Sequence, residues 1–235
     1  MPSRHFARVA GELITMGIGS LGFAFGPGTW AGIVKRNSDL DDPGVIGVGA
    51  ATDWAVFFEV ANDYISFYNG AATVDAAIPF VTADGWCLLG VTKATGTVAP
   101  RIHKYVYGTG QWTHANATGT VANSGVPATS FTIGDGNAKL DAEMKIQGVW
   151  DFVLTDAQFE TLPFRIKPWL TVGQPRTLLP LEQSSTSIPV LDLGTVPRAT
   201  QTAISGTSIY SGAEPSWNFG FDPGPPDLAG VTTSP

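Results

Sequence analysis

Apolar positions recur with a period of two along most of the chain, in short runs cut by Gly, Pro and Asn. That pattern belongs to half-buried β-strands rather than to helices. Trp54, Val56, Phe58 and Val60 alternate with Ala55, Phe57 and Glu59. Asn62-Asp63 then reads as a hairpin turn into a return strand over 64–69. Further strands are expected at 13–19, 30–36, 45–50, 86–93, 101–107, 111–115 and 130–134. Asp84-Gly85 introduces the 86–93 run, and Gly108-Thr109-Gly110 turns 101–107 back into 111–115. Many short strands with turn punctuation predict an all-β, antiparallel sandwich.

One segment breaks this texture. Met144, Ile146, Trp150 and Phe152 are expected on one strand face with Gly148 between them, and Lys145, Gln147 and Asp151 on the other. Thr155 follows as an N-cap, and Gln158 completes a Thr-x-x-Gln capping box. Leu154 and Phe159 stand at hydrophobic-staple spacing. Pro163 disfavours continuation, so a single short helix over 155–162 is predicted. Beyond 163 prolines arrive at short intervals, with strand-like pieces at 190–193 and 200–209. Residues 1–211 are read as one domain, and 212–235 as an extended Gly/Pro-rich tail.

Composition narrows the function classes. Charged residues are 14% of the 235, with a net charge of -7, so the surface must be covered by neutral polar residues. No basic patch stands out, which argues against nucleic-acid binding. No apolar stretch approaches the ~20 residues of a membrane span, and no leader-type apolar segment follows Arg4 and Arg8. Cys87 is the only cysteine and lies in an apolar run, so it is expected to be a buried small hydrophobe.

The strand-to-helix unit resembles the closing segment of laminin-G-like, concanavalin-A-like jelly rolls, where a last core strand leads into an L-S-D-A-E type helix. Two earlier landmarks agree in order. Asp84-Gly85-Trp86 leads into a core strand, without the histidine the family carries after the tryptophan. Residues 101–107 followed by Gly108 resemble the family's strand and hairpin before Phe131-Thr132-Ile133-Gly134. The resemblance spans about 45–165 and implies a jelly-roll sandwich. Residues 184–193 and 201–207 are similar to the end of minor tail proteins of actinobacterial, including mycobacterial, siphophages. That likeness implies a virion protein made in the host cytoplasm. It also implies tail-protein partners, a homo-oligomer such as a trimer, and adhesion to a cell-surface glycan. A free lectin-like module and a capsid decoration protein remain the alternatives.

The candidate chemistry is sparse. Asp141 and Glu143 are two apart, but Lys145 and Gln147 follow where a glycosidase strand needs its third carboxylate, so no enzyme is expected. No Gly-x-Ser-x-Gly elbow is present. Gly17-Ile18-Gly19-Ser20-Leu21-Gly22 fits a dinucleotide fingerprint, yet the sequence after it cannot form the required helix. His103 and His114 can face each other across the 108–110 hairpin, but neither has a ligating neighbour at metal-site spacing in the sequence. Asp135, Asn137 and Asp141 supply oxygens of the kind calcium takes, and the family resemblance makes calcium the one cofactor to consider. Tyr105, Tyr107 and Trp112 near the hairpin are the candidates for stacking on a sugar. Trp217, Phe219 and Phe221 in the tail are the candidate assembly contacts, since such rings are costly to leave in water.

Overall fold

The structure, a computed structural model, describes residues 3–6, 13–17, 27–39, 44–48, 54–58, 62–123, 130–133, 140–164, 166–181, 200–205 and 208–210. The strands are β1 (Ser3–Phe6), β2 (Leu13–Gly17), β3 (Gly28–Arg36), β4 (Gly44–Val48), β5 (Trp54–Phe58), β6 (Tyr64–Tyr68) and β7 (Thr73–Pro79). They continue as β8 (Trp86–Lys93), β9 (Arg101–Val106), β10 (Gln111–Asn116), β11 (Ser130–Ile133), β12 (Ala142–Trp150) and β13 (Thr177–Pro180). The last two are β14 (Thr200–Ser205) and β15 (Ser208–Tyr210). Helix α1 spans Asp156–Phe159 and α2 spans Ile166–Thr171.

All described pairings are antiparallel and form two sheets, the antiparallel sandwich that the strand pattern predicts. The first sheet runs β10-β9-β8-β3-β12-β1-β15, and β13 pairs β12 beside β1. The second runs β14-β2-β11-β4-β5-β6-β7. The 200–209 piece, expected as one strand, is two: β14 joins the second sheet on β2, and β15 joins the first on β1. The strands β1, β7 and β13 were not expected from the sequence, and the strand-like piece at 190–193 lies outside the described residues.

Between the sheets lies a core of Trp30, Val34, Phe58, Phe67, Phe80, Leu89, Val91, Ile102, Met144 and Val149, with Cys87 buried among them. Burial pushes the Cys87 thiol far above its ordinary range. It therefore stays a protonated core side chain, as the sequence suggested.

A second core lies on the opposite face of the first sheet. Ala31, Ile33, Leu88, Tyr105, Ile146 and Trp150 are covered there by Leu154, Phe159, Leu162 and Trp169 from the segment after β12. The expectation of one shared face for Met144, Ile146 and Trp150 is corrected by a register shift between Met144 and Gln147. Met144 stays between the sheets, whereas Ile146 and Trp150 face the covering segment. An irregularity that adds a residue to one strand exchanges the faces of everything after it. Gln147 thereby turns inward and accepts a hydrogen bond from Trp30 Nε1 at 3.0 Å.

The covering segment is built as its sequence signals. Thr155 caps α1, its hydroxyl accepting from the Gln158 N–H at 3.3 Å, while Gln158 Oε1 accepts from the Thr155 N–H at 2.9 Å. Leu154 and Phe159 are both buried, closing the staple. The expected helix over 155–162 is shorter, and a second helix follows: Leu162–Phe164 forms a 3₁₀ turn and α2 begins at Ile166. Pro168 is tolerated in the first turn of α2, where N–H groups have no helical partner. Two glycines make room for the cover. A Cβ at Gly90 would run into the Phe159 ring, and one at Gly148 would lie 2.6 Å from Trp150 and 3.0 Å from Trp169.

Candidate functional site

The site grows out of one hairpin. Alternation puts Arg101, His103, Tyr105 and Tyr107 on the same face of β9 and its continuation, and Asn116, His114 and Trp112 on the matching face of β10. Strand register makes three cross-strand pairs: Arg101 with Asn116, His103 with His114, and Tyr105 with Trp112. Each pair makes contact. Arg101 Nη1 donates to Asn116 Oδ1 at 3.1 Å. The Nδ1 atoms of His103 and His114 are 2.8 Å apart. The rings of Tyr105 and Trp112 have centroids 4.9 Å apart. Along β10, Trp112 also stacks on His114, at 4.9 Å and 18°.

Helix α1 lies over this ladder and meets it residue by residue. Asp156 takes two hydrogen bonds from Arg101, at 2.7 Å from Nε and 2.5 Å from Nη2. The Phe159 ring stacks on His103 at 4.1 Å and 8°. Glu160 brings Oε1 to 3.4 Å from His114 Nε2, a buried nitrogen with no hydrogen-bond partner. Past the helix, the Pro163 carbonyl accepts from the Tyr107 hydroxyl at 2.8 Å. His103 Nε2 faces Thr92 Oγ1 at 3.3 Å.

The electrostatics follow from this packing. Hydrogen bonds from Arg101 hold the Asp156 carboxyl below its usual range, against some desolvation. Burial is the main cause that pushes His103 down to about 3; the neighbouring His114 and Arg101 add to it and Asp156 opposes it. His103 is therefore a neutral imidazole at physiological pH. His103, His114 and Asp156 can each present one ligating atom, and these atoms lie within 4.8 Å of one another.

The structure gathers Tyr105, Tyr107 and Trp112 into one cluster. Tyr105 is only 6% exposed, packed under the cover, whereas Tyr107 and Trp112 are half-buried at its margin. Asp141 is half-buried just before β12, where its carbonyl accepts from the Asn37 N–H at 2.9 Å. Asp135 and Asn137, the other proposed calcium ligands, lie outside the described residues, as do Trp217, Phe219 and Phe221. Glu143 is bound to Lys35 at 2.8 Å.

Sequence reasoning paired the two histidines correctly but missed Asp156, Glu160 and Phe159. Spacing rules look for ligands near one another in sequence. Asp156 comes from a helix more than forty residues beyond His114, so only the fold brings it there.

No protein-family model matches the chain, and no curated protein matches it. Among solved structures, the chain is similar to a Bacteroides ovatus protein provisionally described as carbohydrate-binding. The TM-score is 0.62 at 16% identity, over 91% of this chain and 60% of that one. The likeness confirms the jelly-roll fold, and the chain spans about 60% of that neighbour's length. Mouse laminin α1 domains LG4-5 match with a TM-score of 0.43 at 15% identity, over 63% of this chain and 40% of theirs. A botulinum neurotoxin DC binding domain solved with SialylT matches at 0.44 and 10% identity, over 64% of this chain and 38% of that one.

Proposed function

We propose that this chain is a non-enzymatic adhesion module of a virion, the jelly roll of a phage minor tail protein, contacting a host-surface glycan at the β9–β10 hairpin. The observation that carries the binding site is the half-exposed Trp112. It is held flat against His114 beside the exposed 108–110 turn and the half-exposed carboxylate of Glu160. A rigid ring with a hydrogen-bonding neighbour is the arrangement that stacks on the apolar face of a sugar at low entropic cost.

The carboxylates support the non-enzymatic reading. Glu143 is paired with Lys35, Asp84 with Lys104, Asp63 with Arg36, Asp151 with Arg176 and Asp156 with Arg101. A glycosidase needs a matched acid and base or nucleophile, and these groups already serve the fold. The carbohydrate-binding description of the Bacteroides ovatus neighbour points the same way. The virion placement rests on the C-terminal likeness and on the low charge of the chain, 14% charged residues, which suits lateral packing with tail proteins or with further copies as a trimer.

Two measurements test the proposal. Mass spectrometry of purified particles should find the chain, cross-linked to tail components; its absence returns the free lectin-like module. Cross-links confined to the capsid shell return the decoration protein. Glycan-array binding should weaken about tenfold or more on Trp112→Ala, the loss of a buried aromatic contact. Binding unchanged by that substitution removes the hairpin as the site.

A further inference from the structure

We propose that His103, His114 and Asp156 form a binding site for a divalent transition-metal ion of the zinc class, one that ties α1 to the β9–β10 hairpin. This inference is independent of the glycan reading. Two imidazoles and one carboxylate make a donor set that suits zinc and its neighbours and is poor for calcium, which takes oxygens.

The geometry converges on one point. His103 Nε2 faces Thr92 Oγ1 at 3.3 Å, and His114 Nε2 faces Glu160 Oε1 at 3.4 Å. Thr92 thus orients His103 through its outer nitrogen, as the partners behind metal-binding histidines do, while Glu160 lies beside the outer nitrogen of His114 without a hydrogen bond. Both Nδ1 atoms are left pointing at each other, 2.8 Å apart, with Asp156 Oδ1 3.7 Å from the Nδ1 of His103. With metal–nitrogen bonds of about 2.0–2.1 Å, two tetrahedral nitrogen ligands stand roughly 3.3 Å apart. A shift of a few tenths of an ångström therefore opens the pair for an ion.

The charges around the site are accounted for. Without metal, one neutral ring donates to the other across the Nδ1–Nδ1 contact; with His103 as the donor, its Nε2 accepts from the Thr92 hydroxyl. An ion takes the place of that proton, which shifts through solvent to His103 Nε2 with no net release, and the Thr92 hydroxyl turns to accept from His103 Nε2–H. The guanidinium of Arg101 opposes a cation, but it is bound to both oxygens of Asp156 and balanced by that carboxylate, while Glu160 adds a second negative charge beside His114. The open side is at Asp156 and His114, whose side chains are 38% and 13% exposed, against 1% for His103. A fourth position is thus free for water or for an oxygen of a bound molecule.

The test uses the untagged full chain, freed of metal with EDTA. Zinc titration followed by calorimetry should show saturable uptake of one ion per chain. Cobalt should give the visible absorption bands of a tetrahedral site with nitrogen ligands. His114→Gln and Asp156→Asn should each weaken zinc uptake by about tenfold or more. Asp156→Asn lies at a half-exposed helix start, so it keeps the test valid if His114→Gln fails to fold. His5→Gln, at the third histidine, should change nothing. Absence of one-to-one uptake by the wild-type chain, uptake that survives both site substitutions, or uptake lost with His5→Gln would each overturn the assignment.

Discussion

The first sheet is buried on both faces, but by different means. Its inner face meets the second sheet through aliphatic and phenyl side chains that follow strict alternation, such as Val34, Leu89, Val91 and Ile102 against Phe58 and Phe67. Its outer face meets a short helical cover through Trp150, Trp169 and Phe159, and needs glycine at 90 and 148 to admit their rings. The inner core is a joint between two large surfaces. The outer core depends on one segment of about twenty residues, held by caps, ring stacking and a few polar contacts. The functional candidates gather at the edge of the outer core, where a covering segment leaves polar groups and half a tryptophan at the surface.

The sharpest way to test that division is to hollow out each core in turn. Trp169→Ala removes a ring buried under α2 and the Trp169 Nε1 hydrogen bond to the Leu162 carbonyl at 2.9 Å. It should cost about 3–5 kcal/mol. Phe67→Ala in the inner core should cost a similar amount, about 3–5 kcal/mol. The two should differ in kind. Hydrogen exchange should show local opening confined to residues 151–172 for Trp169→Ala and global loss of protection for Phe67→Ala. The same exchange pattern in both variants would mean that the two cores are one cooperative unit.

Overpacking asks the same question more gently. Gly148→Ala sets a methyl against Trp150 and Trp169 and should destabilise by about 1–3 kcal/mol in a urea titration. A neutral result would show that the cover has slack. Thr155→Ala removes the cap hydroxyl and should cost about 1 kcal/mol, read as faster exchange in α1.

How much of this was legible follows the same line. The inner core could be read from period-two alternation, because a strand between two sheets has only two faces. The capping box and staple around Thr155 are local signals and were legible for the same reason. The bulge at 144–147 left no local mark, and it decided that Met144 and Ile146 face opposite cores. Helix α2 was missed because Pro163 and Pro168 read as breakers, although a proline in a first turn breaks nothing. In the site, the His103–His114 pairing was legible from the Gly108–Gly110 turn, since hairpin register follows from the turn. The approach of Asp156 was not, because it depends on how α1 docks across the sheet.

The smallest stability effect is expected at the contact that matters most for chemistry. Asp156→Asn breaks a partly exposed pair with Arg101, and solvent screening should keep the loss under about 1 kcal/mol. The same variant should reduce the rise in thermal midpoint expected when zinc is added to the wild-type chain. A large stability loss in the metal-free protein would make Asp156 a structural residue first.

The central claim is that binding resides at the edge of the outer core and not on the second sheet. It is tested most directly by glycan binding of the intact chain compared with Trp112→Ala and with Tyr68→Ala. Trp112 is half-buried on β10 beside the cover, and Tyr68 is half-buried on β6 of the other sheet. The account predicts that Trp112→Ala weakens glycan binding about tenfold or more while Tyr68→Ala leaves it unchanged. Binding that is lost with Tyr68→Ala and kept with Trp112→Ala would contradict it.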